Sequence, residues 1–326
     1  MKKTKKNIVT IGGGTGTFVV LSGLKRAENV RLAAVVTVAD SGGSTGRLRD
    51  AYGFLPVGDA RQALVALAGD NGTSLIRSLF THRFAKGDIA GHNFGNLFLT
   101  ALTDILGTDV AAIEAASKIL KIRGKVLPVS ETAPTLVAHL ENGDTVVGEH
   151  EIDKVVADRA HIKELTTETP VHAYGGATEV IATADLIILG PGDLYTSTAA
   201  NLVVEGIPEA IQKSNGKLVY VVNLFSKSGQ TDGYTASKCV EEVTRYAGRK
   251  PDYVIVNSGA IPQKALDYYA SEGECPTVDD LGDESYVLRA DLVSTTVLEG
   301  DAADPLQRSL IRHDPDKLAQ LLQTLL

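Results

Sequence analysis

Two loops carry the residue types best suited to chemistry. Gly12-Gly13-Gly14-Thr15-Gly16 follows the apolar run Ile8–Ile11, and Asp40-Ser41-Gly42-Gly43-Ser44 follows the run from Leu32 to Val38. Glycines let a ligand approach the backbone, and free amides at a following helix start attract phosphate. Asp40 adds a carboxylate, and Ser41 and Ser44 add hydroxyls, a set suited to phosphate or to hydrated Mg²⁺. The same residues also suit a capped turn with no ligand. Three further stretches extend the pattern. Gly58-Asp59-Ala60-Arg61 offers a helix-capping acid and a guanidinium able to clamp phosphate. Gly91-His92-Asn93-Phe94-Gly95-Asn96 offers the amides of Asn93 and Asn96, equally fit to meet a base or sugar or to cap a helix. Gly190-Pro191-Gly192-Asp193-Leu194-Tyr195-Thr196-Ser197 places Asp193, Tyr195, Thr196 and Ser197 after another apolar run, and Asn223 and the loop 228–234 follow a fourth. Asp40 and Asp193, both at strand ends, could share a Mg²⁺ ion across a cleft.

Other chemistries are weakly supported. Gly12 to Thr17 lacks the third glycine of the dinucleotide fingerprint and the Gly-Lys-Ser/Thr ending of a P-loop. Asp40 does lie twenty-four residues beyond Gly16, where a dinucleotide fold places its ribose acid, so NAD(P) stays a minor alternative. No G-x-S-x-G is present, and Cys239 falls on the apolar side of a helical pattern, so no nucleophile stands out. His139, His150, His161 and His172 recur every eleven residues, yet Asn142-Gly143 and Pro170 forbid the one long helix that would align them.

The elements that must position these loops alternate. Unbroken aliphatic runs at 8–11, 32–38, 186–189, 217–222 and 253–256 predict strands buried on both faces of a mostly parallel sheet. Helical patterns at 18–27, 60–67 (capped by Asp59), 97–106, 110–122 (capped by Asp109), 235–247 and after Asp314-Pro315 fall between or after them. From Lys125 to about Thr169 the segments shorten and become β-like, with Asn142-Gly143 as a hairpin signal. The expected organisation is a Rossmann-like three-layer α/β fold with a small β-rich insertion: a nucleotide-binding part over 1–124, the insertion over 125–170, and the second part of the core over 171–326.

A net charge of −8 argues against nucleic acid or an anionic membrane surface as the main partner. The basic start Lys2-Lys3, Lys5-Lys6 precedes only four apolar residues, too few for a signal peptide. No apolar run approaches membrane-spanning length, and two cysteines make no disulfide framework, so a reducing cytoplasm is expected. The leucine stripe at 318, 321, 322 and 325 reads as core or as a homo-oligomer contact.

The ordered set Ile-Gly-Gly-Gly-Thr-Gly at 11–16, Thr-Val-Ala-Asp-Ser-Gly-Gly-Ser-Thr-Gly-Arg-Leu-Arg at 37–49, Gly-Asp-Ala-Arg at 58–61, Gly-His-Asn-Phe-Gly-Asn-Leu at 91–97 and Gly-Pro-Gly-Asp-Leu-Tyr-Thr-Ser at 190–197 resembles the CofD/YvcK superfamily over nearly the whole chain. Within it the chain is most similar to the YvcK branch, the gluconeogenesis factors. The resemblance implies a Rossmann-like fold, a cytoplasmic location, and binding of a UDP-sugar such as UDP-N-acetylglucosamine. It also implies a role in growth on gluconeogenic carbon sources and in cell shape; a regulatory protein partner is expected beside the ligand. The sister branch implies the alternative: a Mg²⁺-dependent transferase that moves a phospholactyl-type group from a guanylyl-activated donor onto the deazaflavin Fo. In that branch strand-end acids hold the metal, and Asp40 matches the motif position. The transferases usually carry an Asn-containing Gly-Pro-Ser-Asn at the last motif, where this chain has Gly190-Pro191-Gly192-Asp193. Only 5% of its residues are aromatic, few to stack a deazaflavin.

Overall fold

The computed structural model describes residues 5–69, 74–156, 158–294 and 310–326. In chain order the elements begin β1 (Lys6–Gly12), α1 (Gly14–Leu24), β2 (Val30–Val36), α2 (Gly43–Tyr52), α3 (Gly58–Leu67), α4 (Ser74–Thr81), α5 (Phe94–Leu106), α6 (Asp109–Ile119) and β3 (Lys125–Pro128). Then come β4 (Leu136–Leu140), β5 (Thr145–Val147), α7 (Glu149–Asp153), β6 (Ile162–Thr167), α8 (Gly175–Ala182) and β7 (Leu186–Leu189). A π-helical turn over Leu194–Ala199 leads into α9 (Ala200–Leu202), followed by α10 (Ile207–Lys213), β8 (Lys217–Val221), α11 (Ala236–Ala247), β9 (Tyr253–Asn257), α12 (Gln263–Ser271), β10 (Val287–Ala290) and α13 (Pro315–Gln323).

Seven strands form one sheet in the order β10-β9-β8-β7-β1-β2-β3, and every neighbouring pair is parallel. The aliphatic runs follow from this arrangement. Val9 and Ile11 of β1 pack into one core layer and Ile8 into the other, and β7 divides likewise, with Ile187 and Leu189 opposed to Leu186 and Ile188. A strand covered on both faces has no polar side to alternate with.

A second sheet, β5-β4-β6, is antiparallel, and the turn at Asn142-Gly143 joins β4 to β5. Leu136, Ala138, Leu140 and Leu165 of this sheet share the core layer that contains Val9 and Ile11. The sequence reading placed the stretch around Val126 in the β-rich insertion. Lys125–Pro128 instead pairs with Ala33–Val36 as the edge strand of the main sheet. The C-terminal stripe is core: Leu318, Leu322 and Leu325 pack with Val20, Leu21 and Leu24 of α1. Among the described residues no helix is long and apolar enough to cross a membrane.

Candidate functional site

The chain leaves β1 toward β2 and β3 on one side and later returns as β7 on the other. The loops after β1 and β7 therefore diverge at the middle of the carboxyl edge, the crevice where open α/β sheets hold ligands. A cleft of about 480 Å³ lies there. One wall is Gly13–Gly16, and a second is Pro191–Asp193 with Ser197. Opposite stand His150 and Asp153 of α7 and its start, Lys227, the aromatic pair Tyr268 and Tyr269, Glu272 and Glu274, and Arg312 with His313.

Steric facts make the glycines of the first wall necessary. A Cβ on Gly16 would lie 1.7 Å from the carbonyl oxygen of Pro191, so the two loops touch only because that atom is missing. Gly13 is the N-cap of α1 and has no side chain to satisfy the first amides. The Asp59 carboxylate accepts from the Gly14 N–H at 2.8 Å. This corrects the expected local cap: α3 starts two residues earlier, with Val57 at its N-cap, and Asp59 reaches across to α1. Likewise Thr108, not Asp109, caps α6.

Asn223 takes a different role from the one expected. Its Oδ1 accepts from Gly192 N–H at 2.9 Å and its Nδ2 donates to Gly192 carbonyl oxygen at 2.8 Å. Both ends of the amide hold the loop that presents Asp193, and Asn223 still lines the cleft with a second amide hydrogen and a second lone pair.

The second glycine loop is closed on itself. Asp40 Oδ1 accepts from Gly42 N–H at 2.9 Å, Ser41 N–H donates to Glu149, and Ser41 Oγ accepts from His150 N–H. Gly43 begins α2 with φ near +50°, a conformation glycine adopts without strain. Ser44 Oγ lies 3.1 Å from His92 Nδ1. Asn93 caps α5, with its Oδ1 accepting from Gly95 and Asn96 N–H. Asn96 Oδ1 accepts from Arg61 Nε at 2.9 Å, while its Nδ2 donates to Thr45 Oγ1. Arg61, 5% exposed, also donates to the Phe80 carbonyl oxygen. The structure thus turns Ser44, Arg61, Asn93 and Asn96 toward one another instead of toward the cleft.

Tyr195 and Thr196 are corrected as well. Tyr195 is fully buried, its hydroxyl held among the Ile162 carbonyl, Tyr234 and Glu242, while Arg245 neutralises Glu242. Thr196 is 4% exposed. The π-helical turn that follows Asp193 sends these side chains into the core and leaves Ser197 on the cleft.

Electrostatically the cleft sets Asp153, Asp193, Glu272 and Glu274 against Lys154, Lys227 and Arg312. Burial, the repulsion of Asp40 and then that of Asp153 push the Glu149 carboxyl up to about 9, and burial with Asp153 raises Asp193 to about 6 against the pull of Lys227. Burial also raises Asp40. Burial alone would lower Lys227, but Asp193, Asp153 and Glu274 outweigh it and hold the ammonium charged. Its Nζ stands 3.8 Å from Glu274 and 4.0 Å from Asp153. Burial depresses His313, 4% exposed, to about 4, so its imidazole is neutral.

Asp40 responds to Asp153 and Arg49, and Asp193 to Asp153 and Lys227, so the acid common to both is Asp153. Among the described residues no three His, Cys, Asp or Glu side chains converge to hold a metal by themselves. Mg²⁺ commonly takes one or two carboxylates and completes its shell with ligand phosphates and water. The donor chemistry here fits that mode through Asp193 and Asp153, which line the cleft, whereas Asp40, expected to pair with Asp193, is not among the lining residues and accepts from Gly42 N–H.

The sequence reading missed His150, Asp153, Lys227, the tyrosines of α12, Glu274, Arg312 and His313. None of them lies in a glycine-rich motif, and only the strand order brings them to the cleft.

The family model described as 2-phospho-L-lactate transferase CofD matches residues 8–298. The chain is 39% identical over 324 residues to a gluconeogenesis factor of Bacillus subtilis, covering 99% of this chain and 98% of that one. It is 37% identical over 331 residues to a gluconeogenesis factor of Listeria innocua, covering 100% and 97%. A crystal structure of a Bacillus halodurans protein superposes with a TM-score of 0.89 at 36% identity, covering 98% of this chain and all of that one.

Proposed function

We propose, from the premise that this chain belongs to the 2-phospho-L-lactate transferase CofD family, that its cleft binds a nucleotide-sugar of the UDP-N-acetylglucosamine type. In this reading it is a cytoplasmic regulatory gluconeogenesis factor, needed for growth on gluconeogenic carbon sources and for normal cell shape. The observation that carries the reading is the meeting of the Gly13–Gly16 and Pro191–Asp193 loops at the switch point of the sheet. Backbone amides there suit a diphosphate, and the far wall offers the ring of Tyr268, backed by buried Tyr269, to a base. The carboxylates of Asp153, Asp193 and Glu274 accept from hydroxyl-rich groups such as a sugar. The gluconeogenesis role comes from the relatives named for it.

The test is thermal unfolding of the purified protein with UDP-N-acetylglucosamine, with GDP and with NAD, each with and without Mg²⁺. Ligand at about a hundred times its dissociation constant stabilises the native state by roughly 2.7 kcal/mol. Stabilisation by the UDP-sugar without its turnover is the expected result, and turnover of the UDP-sugar would sink the regulatory reading.

A second reading, transfer of a phospholactyl-like group from a nucleotide-activated donor, is favoured by the cleft acids and by the family. Asp193 and Asp153 would hold Mg²⁺, and that ion would neutralise charge on the phosphoryl oxygens. The chain's own part would be to position the reactants with the glycine loops, to hold Lys227 charged beside them, and to keep Asp193 desolvated. A Mg²⁺-dependent shift with GDP alone would move the balance to this reading.

A further inference from the structure

The loop that forms the first wall of the cleft holds an anion of the protein's own. Asp59 Oδ1 accepts from Gly14 N–H at 2.8 Å, the first amide of an eleven-residue helix. Its second oxygen presses under the loop, because a Cβ on Gly13 would lie 2.4 Å from Asp59 Oδ2. Asp59 does not act alone. Asp40 Oδ2 lies 2.9 Å from where a Cβ on Gly58 would stand, beside Asp59 in the chain. Asp153 and Asp193 continue the acid line along the cleft. The first turn of α1 therefore serves two masters, a resident carboxylate and whatever phosphate enters beside it.

The charge of that phosphate then matters. A terminal phosphate monoester carries about −1.5 to −2 near neutral pH, because its second proton leaves near pH ~6. A phosphate esterified on both sides has no second proton to lose and carries a single negative charge. Repulsion from a fixed carboxylate grows in proportion to the charge brought against it. A diphosphate capped at its far end by a sugar thus meets less opposition than the same nucleotide with a bare terminal phosphate.

We propose that Asp59 sets the charge selectivity of the cleft: by holding the first amide of α1 it disfavours nucleotides with a free terminal phosphate and admits diphosphates esterified at both ends. This rests on the nucleotide-sugar reading given above and adds to it how the bare nucleotide is refused. The residue acts as a selectivity filter, not as a contact that raises affinity for every ligand.

Calorimetric titration of wild-type protein and Asp59→Asn with UDP and with UDP-N-acetylglucosamine tests it. Asparagine keeps an oxygen acceptor for Gly14 N–H and removes the charge. The expected result is wild-type preference for the sugar ester, with a gain for UDP in the variant of about 10-fold and for the ester of no more than about 3-fold. Equal gains for both ligands, or no gain for UDP, overturn the proposal. If Asp59→Asn does not fold, the wild-type preference is measured against ionic strength. A preference that narrows as salt rises supports the filter, since screening weakens it, and one indifferent to salt overturns it. Wild-type protein that binds neither ligand overturns the nucleotide-sugar reading and the filter together, whereas binding of the ester with an unchanged ratio in the variant removes the filter alone.

Discussion

The two glycine-rich loops have nearly the same vocabulary and opposite fates. Gly12–Gly16 faces an open cleft and makes its closest contact with the backbone of a distant loop at Pro191. Asp40–Ser44 is consumed by local partners: Asp40 bonds Gly42, Ser41 bonds Glu149 and His150, and Ser44 meets His92. The difference is topological. The first loop lies where the strand order reverses and no crossover covers it. The second follows β2, one strand further out, and α7 and the 91–96 turn fill the space above it. A polar loop earns the name of a site only when the fold leaves it something to bind.

Three substitutions sharpen or break this contrast. The largest effect is expected from Gly16→Ala. The added carbon would stand 1.7 Å from the Pro191 carbonyl, a backbone atom that cannot swing aside. Denaturant unfolding should show a loss of about 3 kcal/mol or more, at the upper end for overpacking, and ligand-induced stabilisation should vanish. A variant of wild-type stability would mean that the loops are not in contact and the first wall is misplaced.

Next is Asn96→Ala, which removes the acceptor of buried Arg61 Nε and the donor to Thr45. A loss of about 2 kcal/mol is expected, the range for leaving a buried polar group short of a partner. Ligand affinity should stay within about 2-fold of wild type once folding is allowed for. A large affinity loss in folded protein would erase the contrast, because it would show the second loop to be part of the site.

The smallest effect concerns the acid that closes the second loop. The folded Glu149 carboxyl is raised to about 9 by burial, Asp40 and Asp153. A raised acid keeps its proton in the folded state while the unfolded chain loses it. Its stabilising effect is therefore whole below the ordinary value of 4.5 and fades as pH climbs toward 9. Glu149→Gln carries no such proton, so its stability relative to wild type should rise between pH 5 and 8, by on the order of 1 kcal/mol because the group is partly open to water. Parallel pH profiles for the two proteins would show Glu149 to be ionised in the fold.

These contrasts also mark what could be read in advance. Ile8–Ile11, Leu186–Leu189 and Tyr253–Val256 announced a doubly covered sheet because a strand with two apolar faces needs an unbroken run. Val126 and its neighbours gave no such certainty. Four residues show an edge strand and an insertion strand the same pattern, and pairing with Ala33–Val36 is a property of distance, not of local sequence. In the site, Gly13–Gly16 were legible because glycine has a backbone reason to be there. Arg61, Asn96 and Tyr195 looked similar and are held by partners within the protein, since polarity says that a partner exists and not whether the partner is a ligand. Lys227, Glu274 and His313 were invisible for the converse reason: ordinary residues in ordinary surroundings, gathered by strand order.

One packing detail bears on how such a site comes into being during translation. A Cβ on Gly23 would lie 2.0 Å from the Pro315 carbonyl oxygen, and Leu318 and Leu322 of α13 share a core layer with Val20, Leu21 and Leu24. The helix whose start forms the first wall of the cleft is thus seated by residues that leave the ribosome nearly three hundred positions later. Until α13 is made, a nascent chain holding only the glycine loops lacks the surface that covers Val20, Leu21 and Leu24.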